Sequence, residues 1–204
     1  MKKFILRTFS LALISLLISC GSKTSIVSKS IEEFFSKGPS DEKVVILLTK
    51  YIDNEKLVLA QRQEKDGEQH TNLFLINEKN EVLSWTSGRK PISQCFSVNT
   101  LIYNDKRIIF GSFNDSKFIP SEDRKVSVDI SKIDITLTDN KNIRESVTLD
   151  KGYLVIMDNT SDIKEVNVLN EKDEVQSTLN DIENIVDKIE FVKYKKWFSG
   201  YRIY

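Results

Sequence analysis

Apolar positions in this chain keep helical spacing near the two ends and strand spacing between them. Val27, Ile31, Phe34 and Phe35 fall on one helical face. Ser30 with Glu33 offers a capping box for a shorter helix from Ile31, and Gly38-Pro39 stops the helix in either case. From Lys43 the period becomes that of strands. Val44–Leu48 and Leu57–Ala60 flank the turn Asp53-Asn54-Glu55-Lys56. A polar loop is predicted from Gln61 to Thr71. Leu73–Ile76 and Val82–Trp85 then flank Asn77–Glu81 as a hairpin. Ser87-Gly88-Arg89-Lys90-Pro91 is the best boundary.

The second half repeats the style. Leu101–Tyr103 and Arg107–Phe110 flank the short turn Asn104-Asp105-Lys106. A loop passes through Pro120 and Asp123. Val126–Ile130 and Ile133–Leu137 alternate strictly, and Ser146–Leu149, Tyr153–Met157, Val166–Leu169 and Val175–Ser177 follow between turns. From Leu179 the apolar spacing returns to three and four (Leu179, Ile182, Val186, Ile189), with Thr178 as a cap. This predicts a closing helix that ends near Lys188 or runs to Phe198 with Gly200 terminating it.

Short turns join antiparallel strands only, because parallel strands need long crossovers. The expected class is therefore α+β: predominantly antiparallel β, as hairpins or a meander in a sandwich-like arrangement, with a short N-terminal helix and a C-terminal helix. The expected organisation is a leader over 1–19, a tether over 20–25, a helix plus antiparallel β unit over 26–88, and a β-rich unit with a C-terminal helix over 95–204. The last two can equally form one domain. One internal echo stands out: residues 77–84 read NEKNEVLS and residues 170–177 read NEKDEVQS, each after an apolar strand. Either a β-module is duplicated, or hairpin turns have converged in a chain rich in Asn, Lys, Glu and Asp.

The first twenty residues, MKKFILRTFSLALISLLISC, have a basic start, an apolar run from Leu11 to Ile18, and small Ser19 before Cys20. This is the layout of a secretory leader. The run is broken by Arg7, Thr8, Ser10 and Ser15, and is shorter than the ~20 residues a spanning helix needs. Leu17-Ile18-Ser19-Cys20-Gly21 resembles the lipobox of bacterial lipoproteins. That resemblance implies cleavage before Cys20, diacylation of its sulfur, and attachment to the outer surface of a membrane through the lipid. Two acyl chains give stable attachment where one gives only marginal binding. Gly21-Ser22-Lys23-Thr24-Ser25 reads as a short flexible tether. The whole chain resembles, loosely, uncharacterised small lipoproteins of low-GC Gram-positive bacteria, a resemblance that transfers no active site.

Charge and chemistry narrow the picture mostly by exclusion. The 204 residues carry 30 Lys+Arg, 30 Asp+Glu and one His. The leader holds Lys2, Lys3, Arg7 and no acid, so the rest is acidic by three charges. A near-neutral chain gives no reason to expect nucleic acid. Two cysteines and one histidine exclude a disulfide framework, a Cys-rich metal site and any two-imidazole site. No cofactor or metal is expected. Asp158–Asp162 has carboxylates at calcium-like intervals but lacks the Gly and terminal Glu of an EF-hand loop, and reads better as a polar turn. Cys95 with His70, the latter placed in a loop, would be a thiol–imidazole pair; a buried structural thiol is the simpler expectation. Ser40-Asp41-Glu42-Lys43 and Ser161-Asp162-Ile163-Lys164 match Ser-x-x-Lys, as chance allows here.

Residues 191–204, FVKYKKWFSGYRIY, interleave aromatics with cations. Lys193, Lys195, Lys196, Trp197 and Arg202 suit contact with an anionic surface. The alternative is a closing element whose rings complete the core. The sequence thus predicts an extracytoplasmic, lipid-anchored envelope lipoprotein acting as a non-enzymatic module for a protein or cell-wall partner. An envelope hydrolase with unrecognised catalytic residues is the alternative.

Overall fold

A computed structural model of the chain describes residues 26–35, 43–63, 69–88, 91, 94–147, 151–182 and 186–193. Residues 26–35 form helix α1, and the rest is mostly β. The strands are β1 (Lys43–Ile52), β2 (Glu55–Gln63), β3 (Gln69–Ile76), β4 (Val82–Gly88), β5 (Asn99–Tyr103), β6 (Lys106–Ser112), β7 (Ser116–Ile119) and β8 (Arg124–Ser127). They continue with β9 (Lys132–Leu137), β10 (Asn142–Ser146), β11 (Gly152–Asp158), β12 (Ile163–Leu169), β13 (Val175–Thr178), β14 (Asp187–Lys188) and β15 (Val192–Lys193).

Three sheets stack. Sheet I has the order β1-β2-β3-β4-β15, sheet II β11-β6-β5-β14, and sheet III β10-β9-β12-β13; β7 and β8 form a separate hairpin. All named pairings are antiparallel except β14 with β5. Side-chain alternation assigns the faces. Val58, Ala60, Phe74 and Ile76 of sheet I pack against Val27 and Ile31 of α1. Leu57, Leu59, Leu73 and Leu75, on the opposite face, pack against Leu101, Ile108, Phe110 and Leu154 of sheet II. The other face of sheet II presents Ile109, Tyr153 and Val155 to Ile133, Ile135, Val166 and Val168 of sheet III. The layers are thus α1, sheet I, sheet II and sheet III. Sheets I and II are covered on both sides, so Leu57–Ala60 and Ile108–Phe110 are continuous apolar runs. Sheet III is covered on one side, so Lys132–Leu137 alternates polar and buried.

Residues on both sides of Ser87–Pro91 share the layer between sheets I and II. The N-terminal helix is found, with Val27 and Ile31 buried in its apolar face. Ser30 does not cap it: its hydroxyl lies inside the helix and donates to the Ile26 carbonyl 3.1 Å away, one turn back. The loop between β2 and β3 is shorter than expected, since both strands run into it. The turns are as read: Asp53 (φ 51°), and Asn104 and Asp105 (φ 47° and 60°), take left-handed conformations. Asn and Asp tolerate these because their side chains bond the local backbone.

The predicted C-terminal helix is corrected. Leu179–Ile182 is a single 3₁₀ turn, and β14 and β15 lie in the segment assigned to helix. Leu179 and Ile182 are buried as a helical face would require. From Lys188, however, the pattern is also strictly alternating: Ile189 and Phe191 turn toward the layer between sheets I and II, while Lys188, Glu190 and Val192 face out. Pairing decides between the two periods. The Asp187 N–H donates to the Val98 carbonyl (3.0 Å) and the Ile189 N–H to the Thr100 carbonyl (2.9 Å), filling the edge of β5. Residues 194–204, where the helix was expected to end, lie outside the described residues.

The sequence echo is also a structural one. In each hairpin the first Asn accepts at Oδ1 from the N–H groups two and four residues on, all at 2.9 Å (Lys79 and Glu81; Lys172 and Glu174). Its Nδ2 donates to the Glu carboxylate, at 2.9 Å in the first and 2.7 Å in the second. The fourth residue is left-handed in both, with φ 63° at Asn80 and 64° at Asp173. A lysine on the neighbouring strand reaches that residue in both: Lys56 Nζ to Asn80 Oδ1 at 2.6 Å, Lys132 Nζ to Asp173 Oδ1 at 2.8 Å. Register carries the match across three strands, with Val58–Phe74–Trp85 in sheet I and Asp134–Asn167–Thr178 in sheet III. Connectivity differs at the next strand. Asp53-Asn54 joins β1 to β2, whereas the loop from Thr138 to Lys141 joins β9 to β10 at the other end of its strand.

Candidate functional site

Each chemistry-bearing group singled out above, where described, is tied into the frame. Cys95 is buried in the core between sheets II and III, and its thiol hydrogen-bonds the buried Ser177 hydroxyl. Burial pushes the thiol pKa up, against the Ser177 bond and the Lys117 charge, which disfavours the thiolate. Ser177 Oγ in turn donates to Asp181 Oδ2 at 2.7 Å, which also accepts the Thr178 N–H at 3.0 Å. Lys117 Nζ lies 3.6 Å from the same carboxylate and donates to the Gln176 carbonyl at 2.8 Å. Burial works against the Asp181 charge, but these donors outweigh it and lower its pKa. The cluster ties the β7–β8 hairpin to the turn after β13. His70 belongs to β3 in sheet I, not to a loop, and pairs by register with Arg62. Cys95 and His70 therefore sit in different layers.

The calcium-like loop is held by cations of the chain itself. Arg107 Nη2 donates to Asn159 Oδ1 at 2.9 Å and to Asp162 Oδ1 at 2.8 Å. Lys106 Nζ binds Asp158 Oδ1 at 2.6 Å, and that bond lowers the Asp158 pKa. Among the described residues no three His, Cys, Asp or Glu side chains converge as metal ligands. The Ser-x-x-Lys at 161–164 is also spoken for: Ser161 hydrogen-bonds Asp139, and Lys164 Nζ reaches Asn140 Oδ1 at 3.2 Å. Ser40, Asp41 and Glu42 of the other Ser-x-x-Lys lie outside the described residues.

The outer face of sheet III is polar. Arg144 Nε and Nη2 approach the Asp134 carboxylate at 3.4 Å each, and Nη1 approaches Asp173 at 3.3 Å. Asn167 Nδ2 donates to Glu165 at 3.1 Å. Opposite charges alternate across this face, which suits water and favours neither sign of ligand.

Cys20 lies outside the described residues, as do Lys195, Lys196, Trp197 and Arg202. Lys193 closes β15 opposite Ser84. Two features escaped sequence reasoning. Tyr153 is fully buried and its hydroxyl donates to the Ser97 carbonyl at 2.7 Å. Phe34 and Phe35 stack edge-on against Phe74 and Trp85, with centroids 5.3 to 6.2 Å apart across the group. Helical spacing placed both Phe residues, but nothing in the sequence pointed to Trp85 as their partner.

The tyrosines make stability pH-dependent. Burial raises the Tyr153 pKa far above its ordinary value. Burial, then Glu55 (2.7 Å from the hydroxyl), pushes Tyr103 up to about 12. A raised folded-state pKa gives stability that is complete below the unfolded value, about 10, and is lost above it. Unfolding free energy should therefore be flat in this term to about pH 10 and then fall by about 1.4 kcal/mol per pH unit for each buried tyrosine. Tyr153→Phe should reduce that alkaline slope by one proton in denaturant titrations; an unchanged slope would exclude the buried hydroxyl as its source.

The chain matches no protein-family model, no curated protein and no solved structure.

Proposed function

We propose that this chain is a membrane-anchored, extracytoplasmic envelope lipoprotein, and that its β stack is a non-enzymatic binding module. The observation that carries the reading is Leu17-Ile18-Ser19-Cys20-Gly21 behind a basic start and a short apolar run. Cys20 would be the first residue of the mature chain and would carry the acyl groups. An exposed thiol in an oxidising compartment is otherwise a liability. The spacing supports this: α1 is already packed on sheet I at Val27, so residues 21–25 serve as the tether. No helix among the described residues is long and apolar enough to cross a membrane. The binding role draws its support from the site geometry, where the candidate nucleophile and carboxylates serve structural bonds.

Mass analysis of the N-terminal peptide from native protein tests the anchor, with Cys20 bearing two acyl chains as the expected result. Cys20→Ala should shift the protein from membranes to the medium, or leave an uncleaved precursor. Mature-length protein that stays on membranes without Cys20, or a native peptide with a free thiol, would overturn the proposal.

A further inference from the structure

We infer that the seam between the edges of β4 and β5 is a peptide-binding groove, which the chain's own residues 187–193 hold closed. Its partner is an extended segment of another protein with apolar side chains two residues apart; this deepens the binding-module reading and rests on it. Residues 187–193 run as a strap from sheet II to sheet I. Asp187–Lys188 pairs in parallel with Asn99–Thr100 of β5, and Val192–Lys193 pairs antiparallel with Trp85 and Ser84 of β4. Between these pairings Ile189 and Phe191 turn into the layer that holds Leu83, Leu101 and Tyr103. Phe191 meets Tyr103 edge-on at 5.7 Å, and the Tyr103 hydroxyl donates to Glu55.

The strap is lightly seated. β14 and β15 are two residues each, while every other named strand has at least four. From Val186 to Val192 no side chain is fully buried, and Val192 is 58 % exposed. Thr100, paired with Lys188, has a buried hydroxyl without a hydrogen-bond partner among the described residues. β4 has seven residues and β5 five, yet among the described residues only two of each pair on the seam side. Unpaired edges accept an added strand, whose main chain supplies affinity and whose alternate side chains supply specificity. The strap displays the chemistry that the groove takes: an aliphatic side chain at Ile189, an outward residue, then an aromatic ring on Tyr103. A partner segment that pairs further along either edge makes bonds that the strap leaves unmade. Tethering gives the strap a high effective concentration, so poorly matched peptides do not displace it. The strap is thus an autoinhibitory contact.

The probe is a fluorescent synthetic peptide of residues 186–193, VDKIEFVK, titrated against the full chain in detergent micelles. A control peptide carries Ser in place of its Ile and Phe. Apparent affinity rises with the open fraction, so Ile189→Ala with Phe191→Ala should bind the probe at least about tenfold more tightly than the unaltered chain. The control peptide should not bind. Thr100→Cys with Lys188→Cys, partners in register, locks the strap once oxidised. The probe should bind the reduced form at least about tenfold more tightly than the oxidised one. The Asp187 and Ile189 amides should exchange hydrogen at least about a hundredfold faster than those of β6. Any of four results overturns the inference: equal binding to the oxidised and reduced forms; equal binding of the control peptide; no binding to the loosened variant while β6 stays protected; or strap amides as slow as those of β6. A concentration-dependent dimer that the disulfide abolishes also overturns it, by assigning the groove to a second copy. The mass of the recovered probe reports separately on the binding-module reading: a cleaved peptide contradicts a non-enzymatic module and leaves the groove standing.

Discussion

Gly111→Ala is expected to destabilise the protein by about 3–5 kcal/mol, a drop of roughly 10–15 °C in melting temperature for a chain of this size. The cause is steric. A Cβ on Gly111 would sit 2.1 Å from the Ser97 carbonyl oxygen, 2.7 Å from Tyr153 Cε1 and 2.9 Å from Tyr153 Oη. The nearest atom is backbone and cannot swing away. It is also held on two sides, because Ser97 N–H donates to the Ser112 carbonyl at 3.2 Å and Ser97 O accepts from Tyr153. Any shift that admits the methyl group breaks the Tyr153 bond and leaves a buried hydroxyl without its acceptor. Gly152→Ala is the internal control. Its Cβ would meet Leu47 Cδ1 at 2.8 Å and Leu47 Cβ at 2.9 Å, side-chain atoms that yield in part. Chemical denaturation of both variants should rank Gly111→Ala as clearly the worse. A change below about 1 kcal/mol would mean the Ser97 segment is not held against β6 as described.

Gly111 also shows where the sequence stopped informing. It reads as the end of a strand, yet it lies inside β6, and only the packing of residues 95–97 against β6 demands glycine there. Local features were legible because they have local causes. Asn104-Asp105 announces a tight hairpin, since few other pairs accept two left-handed residues. Val27, Ile31, Phe34 and Phe35 announce α1 through a single period. Layer order was not legible, because alternation says that a strand has two faces but not what covers each. The continuous runs Leu57–Ala60 and Ile108–Phe110 read only as hairpin strands; their coverage on both sides emerges with the layers. The C-terminal segment failed for a different reason: helical and strand periods coexist at Val186, Ile189 and Phe191, and an unfilled edge at β5 settled the choice. The Asp158–Asp162 loop is the polar turn expected of it, but its partner was not legible, because Arg107, distant in sequence, arrives from β6 to hold it.

The two matching hairpins yield a sharper consequence, because equivalent positions in sheets I and III have opposite surroundings. Val58 and Asp134 occupy the same register position, opposite Phe74 and Asn167 respectively. Val58 is 0 % exposed beneath α1, while Asp134 lies on the outer face of sheet III, largely covered by the half-exposed Arg144 that pairs with it. Val58→Asp would place a carboxylate among Val27, Ile31 and Phe74 with no cation among the apolar side chains of that core. An unpaired buried charge costs several kcal/mol even after it takes up a proton, so a loss of about 4 kcal/mol or more is expected. The helix is the element most exposed to this change, since its contacts with sheet I run through that core. Loss of ellipticity or rapid proteolysis near residues 26–35 should accompany the lower midpoint. The reciprocal substitution Asp134→Val removes an ion pair on the outer face of sheet III, where Arg144 keeps its access to water, and should cost less, about 1–2 kcal/mol. If the two substitutions cost the same, the faces of sheets I and III are not the covered and open versions of one design. If Asp134→Val is the costlier, the Arg144 network holds more of the fold than its solvent-facing position implies.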